Sequence, residues 1–139
     1  MQFTDVHYIY NDPRSDVSIE RINEVLDAEK PDLVIFTGDV IYGKPAEEGM
    51  RTVLNLVSKR EIPFAVTFGN HDNEQGLTRE ELFKIIQSIP HNLTLLPKAF
   101  RVLPILFSLE IRRTGSKDAE ILYVFDSTFL FTDKGDRRI

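Results

Sequence analysis

Two short apolar runs, each followed directly by a glycine, constrain the fold of this chain more than any other feature. Residues 33–37 read Leu-Val-Ile-Phe-Thr, and residues 63–68 read Pro-Phe-Ala-Val-Thr-Phe. Continuous apolar runs of this length are typical of strands that are buried on both faces, as in a sheet covered by helices. The sequence therefore predicts an α/β fold in which these two runs are buried strands.

Helices are predicted around these strands. They are expected at residues 17–29, 46–60 and 79–88. In the first two, apolar side chains recur at helical spacing. Ser15 or Asp16 is the expected N-cap of the first, because a side-chain oxygen accepts the free N–H groups of a first turn. Thr78, with Glu81 three residues later, matches a capping box for the third helix. With a first strand at residues 2–8, this alternation favours a helix-covered sheet.

The sequence changes character after Pro90. Strands without clear helices between them are predicted at residues 93–96, 102–111 and 120–125. We therefore interpret the chain as a single domain of 139 residues, because its length favours one folded unit. Within it, residues 1–96 form a motif-bearing α/β half and residues 97–139 a β-rich, divergent tail. The end of that tail, residues 128–139, is expected to be frayed.

Charge and composition exclude several classes of function. The net charge is −5 and the chain has no cysteine. Nucleic-acid binding is therefore not expected, and disulfides, thiolate metal sites and cysteine nucleophiles are excluded. No apolar run reaches the ~18 residues that a spanning helix needs, so no membrane partner is expected. No charged segment followed by an apolar stretch marks a signal peptide, and the compartment stays open.

Three polar clusters follow the predicted strands. They are Asp5-Val6-His7, Gly38-Asp39 and Gly69-Asn70-His71-Asp72. In open α/β sheets, ligand sites form beyond the carboxyl ends of the strands. The ~4.8 Å spacing of neighbouring strands would bring such clusters within reach of one another. Carboxylate, imidazole and amide oxygen suit Zn, Mn or Fe without any sulfur ligand. The sequence therefore predicts a metal site at this edge of the sheet.

Each candidate ligand has its own reason. Asp5 and His7 are two positions apart in a predicted extended segment, so their side chains would point the same way and could share one ion. Asp39 has two carboxylate oxygens and could bridge two ions, while Asn70 offers an amide oxygen to the second. Two ions ~3.5–4 Å apart can activate water and clamp a phosphate together. These residues therefore predict a dinuclear centre.

His71 and Asp72 are the predicted catalytic residues. His71 would lie beside the ions, where it could donate a proton to a leaving oxygen or stabilise the transition state. Asp72 could orient His71 through a hydrogen bond, which would also favour the protonated imidazole. The alternative for these two residues and for Asp39 is ordinary turn chemistry. The alternative for Asp5 and His7 is a solvated pair at a strand end.

The ordered set of clusters resembles the first three motifs of the calcineurin-like metallophosphoesterases, and its first motif resembles their purple acid phosphatase-like subgroup. The resemblance covers about two thirds of the chain. It implies a sandwich of mixed β-sheets flanked by helices. It also implies hydrolysis of phosphoesters, in small molecules or phosphoproteins, by two divalent or trivalent ions (Mn, Fe or Zn). By this resemblance, Asp5, His7 and Asp39 serve the first metal. Asp39 and Asn70 serve the second, and His71 assists catalysis.

The second half departs from the family pattern. The family completes both metal sites with downstream histidines, including a Gly-His-x-His motif, whereas none of the three histidines of this chain follows His91. We therefore expect an incomplete, C-terminally truncated version of the fold. The alternative to a hydrolase is an inactive piece with a half-site, which would hold one ion weakly at best and show little or no turnover. Unpaired strand edges and apolar surface would then favour self-association.

Other polar residues near the motifs have weaker assignments. Residues 38–42 read Gly-Asp-Val-Ile-Tyr, which resembles the Gly-Asp-x-x-Tyr motif of true purple acid phosphatases, where the tyrosine binds iron. Those enzymes lack the histidine of the first motif, so packing is the favoured role of Tyr42 and iron binding the alternative. His91 and Asp126 could reach the site, but we interpret them as a solvated turn residue and a strand-end residue.

Overall fold

A parallel three-stranded sheet is the centre of the computed structural model, which describes residues 1–95, 106–112 and 119–125. In spatial order, its strands are β1 (Gln2–Phe3), β2 (Val34–Thr37) and β3 (Phe64–Thr67). β2 pairs in parallel with both neighbours. Because all three strands run the same way, their carboxyl ends meet at one edge of the sheet.

Three α-helices flank this sheet. They are α1 (Pro13–Glu29), α2 (Ala46–Ser58) and α3 (Arg79–Gln87). The helices share one core with β2 and β3, and its most deeply buried side chains include Leu26, Phe36, Leu54, Phe64 and Leu82. The α/β class and the two buried strands are thereby confirmed. Among the described helices, none combines the length and the apolar character needed to cross a membrane.

An antiparallel pair of strands accompanies the α/β part. β4 (Leu106–Arg112) pairs with β5 (Ala119–Phe125). Val124 is buried, and Leu109 and Leu122 pack against the same core as the helices. The described strands thus form one parallel sheet and one antiparallel pair, and the sandwich of mixed sheets that the family resemblance implies stays a prediction.

Some predicted strands differ from the structure or fall outside it. Residues 93–95 form no regular strand. Instead, the Leu93 N–H donates to the Phe64 carbonyl at 2.7 Å, next to an isolated bridge between Phe64 and Asn92. The predicted strands at residues 102–111 and 120–125 are confirmed where the structure describes them, as β4 and β5. Residues 96, 102–105 and 126–139, which include Asp126 and the predicted frayed end, lie outside the described residues.

The start of α1 corrects the predicted N-cap. The helix begins at Pro13 because Asp12 caps it: the Asp12 carboxylate accepts the Arg14 N–H at 2.9 Å. Proline suits a first helical position, where its missing N–H would have no partner in the helix. Ser15 and Asp16, the predicted caps, therefore lie inside the helix.

The other helices lie close to their predicted positions. The capping box of Thr78 and Glu81 is confirmed, with the Thr78 hydroxyl accepting the Glu81 N–H at 3.2 Å and the Glu81 carboxylate accepting the Thr78 N–H at 2.8 Å. α2 ends at Ser58, earlier than predicted. A left-handed residue, Glu61 with φ +58°, follows shortly after and turns the chain toward β3.

We predict that the Asp12 carboxyl titrates well below an ordinary aspartate. Hydrogen bonds from the Arg14 guanidinium, at 3.1 and 2.7 Å, lower the pKa of Asp12 from 3.8 to about 2. A lowered pKa means that the folded state favours the ionised cap. Its contribution to stability is therefore present above pH 3.8 and is lost as the pH falls through about 2.

Carbon-13 NMR of the side-chain carboxyl groups measures this titration directly. Arg14→Gln should raise the pKa of Asp12 toward its ordinary value. Arg21→Gln, which removes a partner of Glu24 on the same helix, should leave the Asp12 titration unchanged. An Asp12 that titrates like an unpaired aspartate in the unmodified chain would contradict the prediction.

Candidate metal centre

The backbone beyond β1 runs beside the backbone beyond β2. The Asp5 N–H donates to the Gly38 carbonyl at 3.1 Å, and the His7 N–H donates to the Asp39 carbonyl at 2.8 Å. These bonds extend the parallel pairing past the ends of the two strands. The first two polar clusters therefore lie side by side at the carboxyl edge of the sheet, as their order in the sequence predicts.

Left-handed backbone conformations set the direction of these side chains. The φ angle is +53° at Asp5, +50° at His7 and +49° at Asp39, values that are uncommon for residues other than glycine. The prediction that Asp5 and His7 are alternate positions of one extended strand is therefore wrong, because β1 ends at Phe3. Residues in such sparsely populated conformations concentrate at functional sites.

Asp72 joins the loops that follow β2 and β3. Its side chain is fully buried, and its carboxylate accepts the N–H groups of Asp39 at 3.0 Å, Ile41 at 3.1 Å and Gly69 at 2.7 Å. Burial raises the pKa of Asp72, and the N–H donors of Gly69 and Ile41 oppose that rise. The hydrogen bonds that Asp72 accepts come from backbone N–H groups, and the carboxylate bonded to the His71 imidazole is that of Glu74. The predicted orienting hydrogen bond from Asp72 to His71 is therefore wrong, although the charge of Asp72 contributes to the raised pKa of His71.

Asp39 lies at the centre of a cluster of potential metal ligands. It is 7% exposed. Its Oδ1 accepts the His71 N–H at 2.9 Å, and its Oδ2 lies 3.6 Å from Nε2 of His7. One ligand atom from each of His7, Asp39 and His71 lies within 4.8 Å of the others. A carboxylate and two imidazoles at this spacing suit Zn, Mn or Fe, so the residues present fit a metal ion.

Asp5 and Asn70, the other predicted ligands, border this cluster. Asp5 is exposed and accepts a hydrogen bond from the Thr4 hydroxyl. Among the described acidic and imidazole side chains, it is not part of the close group around Asp39. Asn70 is exposed and directly precedes His71. The assignment of Asp5 and Asn70 as ligands stays a prediction.

Glu74 contacts His71 and was missed by the sequence analysis. Its Oε2 lies 2.7 Å from His71 Nδ1, and it belongs to the short 3₁₀ helix Asp72–Gln75. This hydrogen bond raises the pKa of His71, with smaller contributions from the charges of Glu74, Asp39 and Asp72, while desolvation opposes the rise. The signal that could have identified Glu74 is its spacing, since residues three apart share a face of a helical turn.

Tyr42 packs against both imidazoles of the cluster. Its ring centroid lies 5.4 Å from that of His7 and 4.9 Å from that of His71, each in an edge-on arrangement. These contacts agree with the packing role predicted for Tyr42. The residue is nevertheless 46% exposed. His91 is exposed, as expected for a solvated turn residue.

The fold and the site together define the class of protein. Carboxylate and imidazole donors meet where the strands of a helix-flanked parallel sheet end, in the order that the three sequence motifs predict. The chain belongs to the calcineurin-like phosphoesterase family, whose sequence model matches residues 1–134. The resemblance inferred from the motifs is confirmed.

Relatives of this chain include phosphatases and phosphodiesterases by name. Over 86 residues it is 42% identical to the phosphatase DCR2 of Saccharomyces cerevisiae, covering 59% of this chain and 14% of the yeast protein. Over 120 residues it is 28% identical to the probable inactive purple acid phosphatase 29 of Arabidopsis thaliana, covering 83% and 31%. Over 51 residues it is 47% identical to the probable glycerophosphodiester phosphodiesterase GpdQ of Arcobacter nitrofigilis, covering 37% and 18%. The chain thus spans less than a third of the length of each.

We predict that Gly69→Ala disrupts the candidate site. A Cβ atom at residue 69 would lie 2.0 Å from Oδ1 and 2.3 Å from the backbone nitrogen of Asp39. The two loops would have to separate, which would break the hydrogen bonds that Asp72 accepts from both. A buried N–H left without a partner costs about 1–3 kcal/mol, so we expect a loss of at least that size together with weaker metal binding.

Gly49→Ala is the matched control. A Cβ atom there would meet the side-chain Cγ2 of Ile41 at 3.2 Å, so that side chain would have to shift slightly. This cost opposes the gain of about 1 kcal/mol that alanine has over glycine inside a helix, so a smaller change in stability than in Gly69→Ala is expected. Urea unfolding followed by circular dichroism, with Mn²⁺ titration of each variant, compares the two changes. Equal stability and equal metal binding in Gly69→Ala and the unmodified chain would contradict the prediction.

Proposed function

We propose that this protein is a metal-dependent phosphoester hydrolase with a dinuclear metal centre. The main support is the convergence of His7, Asp39 and His71 within 4.8 Å, in a chain that belongs to the calcineurin-like phosphoesterase family. Because the chain spans less than a third of the relatives described above, the activity is proposed for the whole protein, with this chain supplying one side of the centre.

The proposed ligands are those that the motifs predict. Asp5, His7 and Asp39 would hold the first ion, and Asp39 and Asn70 would hold the second. Mn, Fe and Zn suit this set of carboxylate, imidazole and amide donors. When bound, such ions supply Lewis acidity toward water and toward a phosphoryl oxygen.

The protein's own groups would orient the reaction and move the proton. In this proposal, His71 donates a proton to the leaving oxygen of the phosphoester. The Glu74 carboxylate at Nδ1 raises the pKa of His71, which favours the protonated form that such an acid needs near neutral pH. The N–H of His71 also donates to the Asp39 carboxylate. One residue would thus carry the proton and fix a metal ligand.

The proposed substrate class is a phosphomonoester or a phosphodiester, in a small molecule or a phosphoprotein. The relatives' names include both a phosphatase and a phosphodiesterase, and both reactions need the same clamp on a phosphoryl group. p-Nitrophenyl phosphate and bis(p-nitrophenyl) phosphate are therefore the two probes that the proposal requires.

The second candidate is metal binding without turnover. Within the described residues, three carboxylate and imidazole donors converge, and one of them, His71, is the proposed acid. This is a small set for two ions. A half-site of this kind would bind one ion per chain and leave the second position without enough ligands.

We predict that Asp39→Asn abolishes specific metal binding under either candidate. Asn keeps the size of the side chain but removes the negative charge at the centre of the cluster. Loss of an outer partner of a ligand costs 10–100-fold in affinity, so loss of a central ligand should weaken Mn²⁺ or Zn²⁺ binding by more than about 100-fold. Isothermal titration calorimetry measures this, and Asp32→Asn, at an exposed position before β2, is the control.

Turnover distinguishes the two candidates. Hydrolysis of either probe that requires added Mn²⁺ or Zn²⁺, with two ions bound per chain, would support the hydrolase, provided that Asp39→Asn abolishes it. One weakly bound ion and no hydrolysis by this chain would support the second candidate. If a full-length protein carrying this chain also binds no metal and hydrolyses neither probe, the proposed function is wrong.

A further inference from the structure

We infer that Glu74 is a positioning residue for His71, which fixes the imidazole so that Nδ1 faces Glu74 and Nε2 is left for the substrate. The inference rests on the proposed function for its catalytic meaning and on the geometry of the pair for the orientation itself. Glu74 Oε2 lies 2.7 Å from Nδ1 of His71, a full hydrogen-bond contact.

The backbone around Glu74 holds its side chain at this place. The Glu74 N–H donates to the His71 carbonyl at 3.1 Å, and the side-chain amide of Gln75 donates to the same carbonyl at 3.0 Å. These bonds close the short helical turn between His71 and Glu74. The carboxylate therefore meets the ring across one helical turn.

Other contacts hold the rest of the ring. Tyr42 packs edge-on against the His71 ring, with 4.9 Å between centroids, and the His7 ring lies 5.7 Å away. The backbone N–H of His71 is fixed to Asp39 Oδ1. Packing of this kind limits where the ring lies, but it does not fix the ring flip, because a half-turn about the Cβ–Cγ bond exchanges Nδ1 with Cδ2 and Nε2 with Cε1 and leaves the shape of the ring nearly unchanged. The hydrogen bond to Glu74 makes that choice.

Asp72, the residue predicted for this role, does not take it in the structure. Its carboxylate is buried and accepts backbone N–H groups on both oxygens. Glu74, two residues further along, has a different environment. Its side chain is 55% exposed and its carboxylate contacts the imidazole.

An acceptor at Nδ1 sets the chemistry of the other nitrogen. When the imidazole is neutral, a proton held on Nδ1 leaves the Nε2 lone pair free, and when the imidazole is protonated, Nε2–H becomes the donor. In both forms Nε2 is the reacting atom. Without the acceptor, the neutral ring can take the other tautomer, or it can flip about its Cβ–Cγ bond. Nε2 is then no longer held ready toward the substrate.

Nitrogen-15 NMR of the imidazole rings tests the orientation without any need for catalysis. The full chain is freed of metal by chelation and measured at a pH where the histidines are neutral. We compare the unmodified chain with Glu74→Ala, Glu74→Gln and the control Glu29→Ala, at the exposed end of α1. Circular dichroism verifies that each variant is folded.

In the unmodified chain, we expect His71 Nδ1 to give the signal of a protonated nitrogen and Nε2 that of an unprotonated one. Glu74→Ala should lose this pattern and shift the proton toward Nε2. Glu74→Gln keeps a side-chain oxygen as acceptor and should retain it, as should Glu29→Ala. A proton already on Nε2 in the unmodified chain, or an unchanged pattern in Glu74→Ala, would overturn the inference.

The catalytic consequence is measured separately in the metal-loaded protein with p-nitrophenyl phosphate. Glu74→Ala should lower kcat by about 10–100-fold, the range for carboxylates that orient metal-ligating histidines, with little change in KM or in the number of bound ions. Glu74→Gln should recover most of the rate. If no variant shows turnover, the proposed hydrolase fails for this chain, while the ring measurement still decides the orientation by Glu74.

Discussion

The buried carboxylate of Asp72 is the interaction on which the candidate site depends. It accepts backbone N–H groups of Asp39 and Ile41, which follow β2, and of Gly69, which follows β3. Each of these donors would otherwise lose water without gaining a partner, at about 1–3 kcal/mol. Because the bonds hold the peptide of Asp39 itself, the placement of the central metal-ligand candidate depends on the contact between the two loops.

Close approach of the same two loops explains why glycine stands in both motifs. A Cβ atom at Gly38 would lie 2.9 Å from the backbone of Gly69, and Gly38 has a φ of +98°. A Cβ atom at Gly69 would collide with Asp39. Side chains at either position would push the loops apart. Glycine thus permits the contact that Asp72 stabilises, and it brings Asp39 against the backbone N–H of His71.

Two acidic residues of the short 3₁₀ helix have different roles because they differ in burial. Asp72 is buried, and its carboxylate accepts backbone N–H groups and holds the shape of the site. Glu74 is largely exposed, so it is free to contact the His71 imidazole. Two carboxylates two positions apart therefore act on different parts of the site. The environment of each, rather than its residue type, sets its role.

The sequence by itself determined the α/β class, the two buried strands, the capping box at Thr78 and the family, because local patterns of polarity and short motifs specify them. It also placed the polar clusters at one edge of the sheet. The tertiary structure decided the left-handed backbone at Asp5 and His7, the exclusion of Asp72 from the imidazole, and the contact of Glu74 with His71. The backbone of Asp5 and His7 bonds to Gly38 and Asp39, which are distant in sequence, and Asp72 meets backbone groups of two separate loops. The spacing of His71 and Glu74 permits their contact, but the folded loops decide that Asp72 is buried against the backbone while Glu74 stays exposed beside the imidazole, because burial depends on segments that are far apart along the chain.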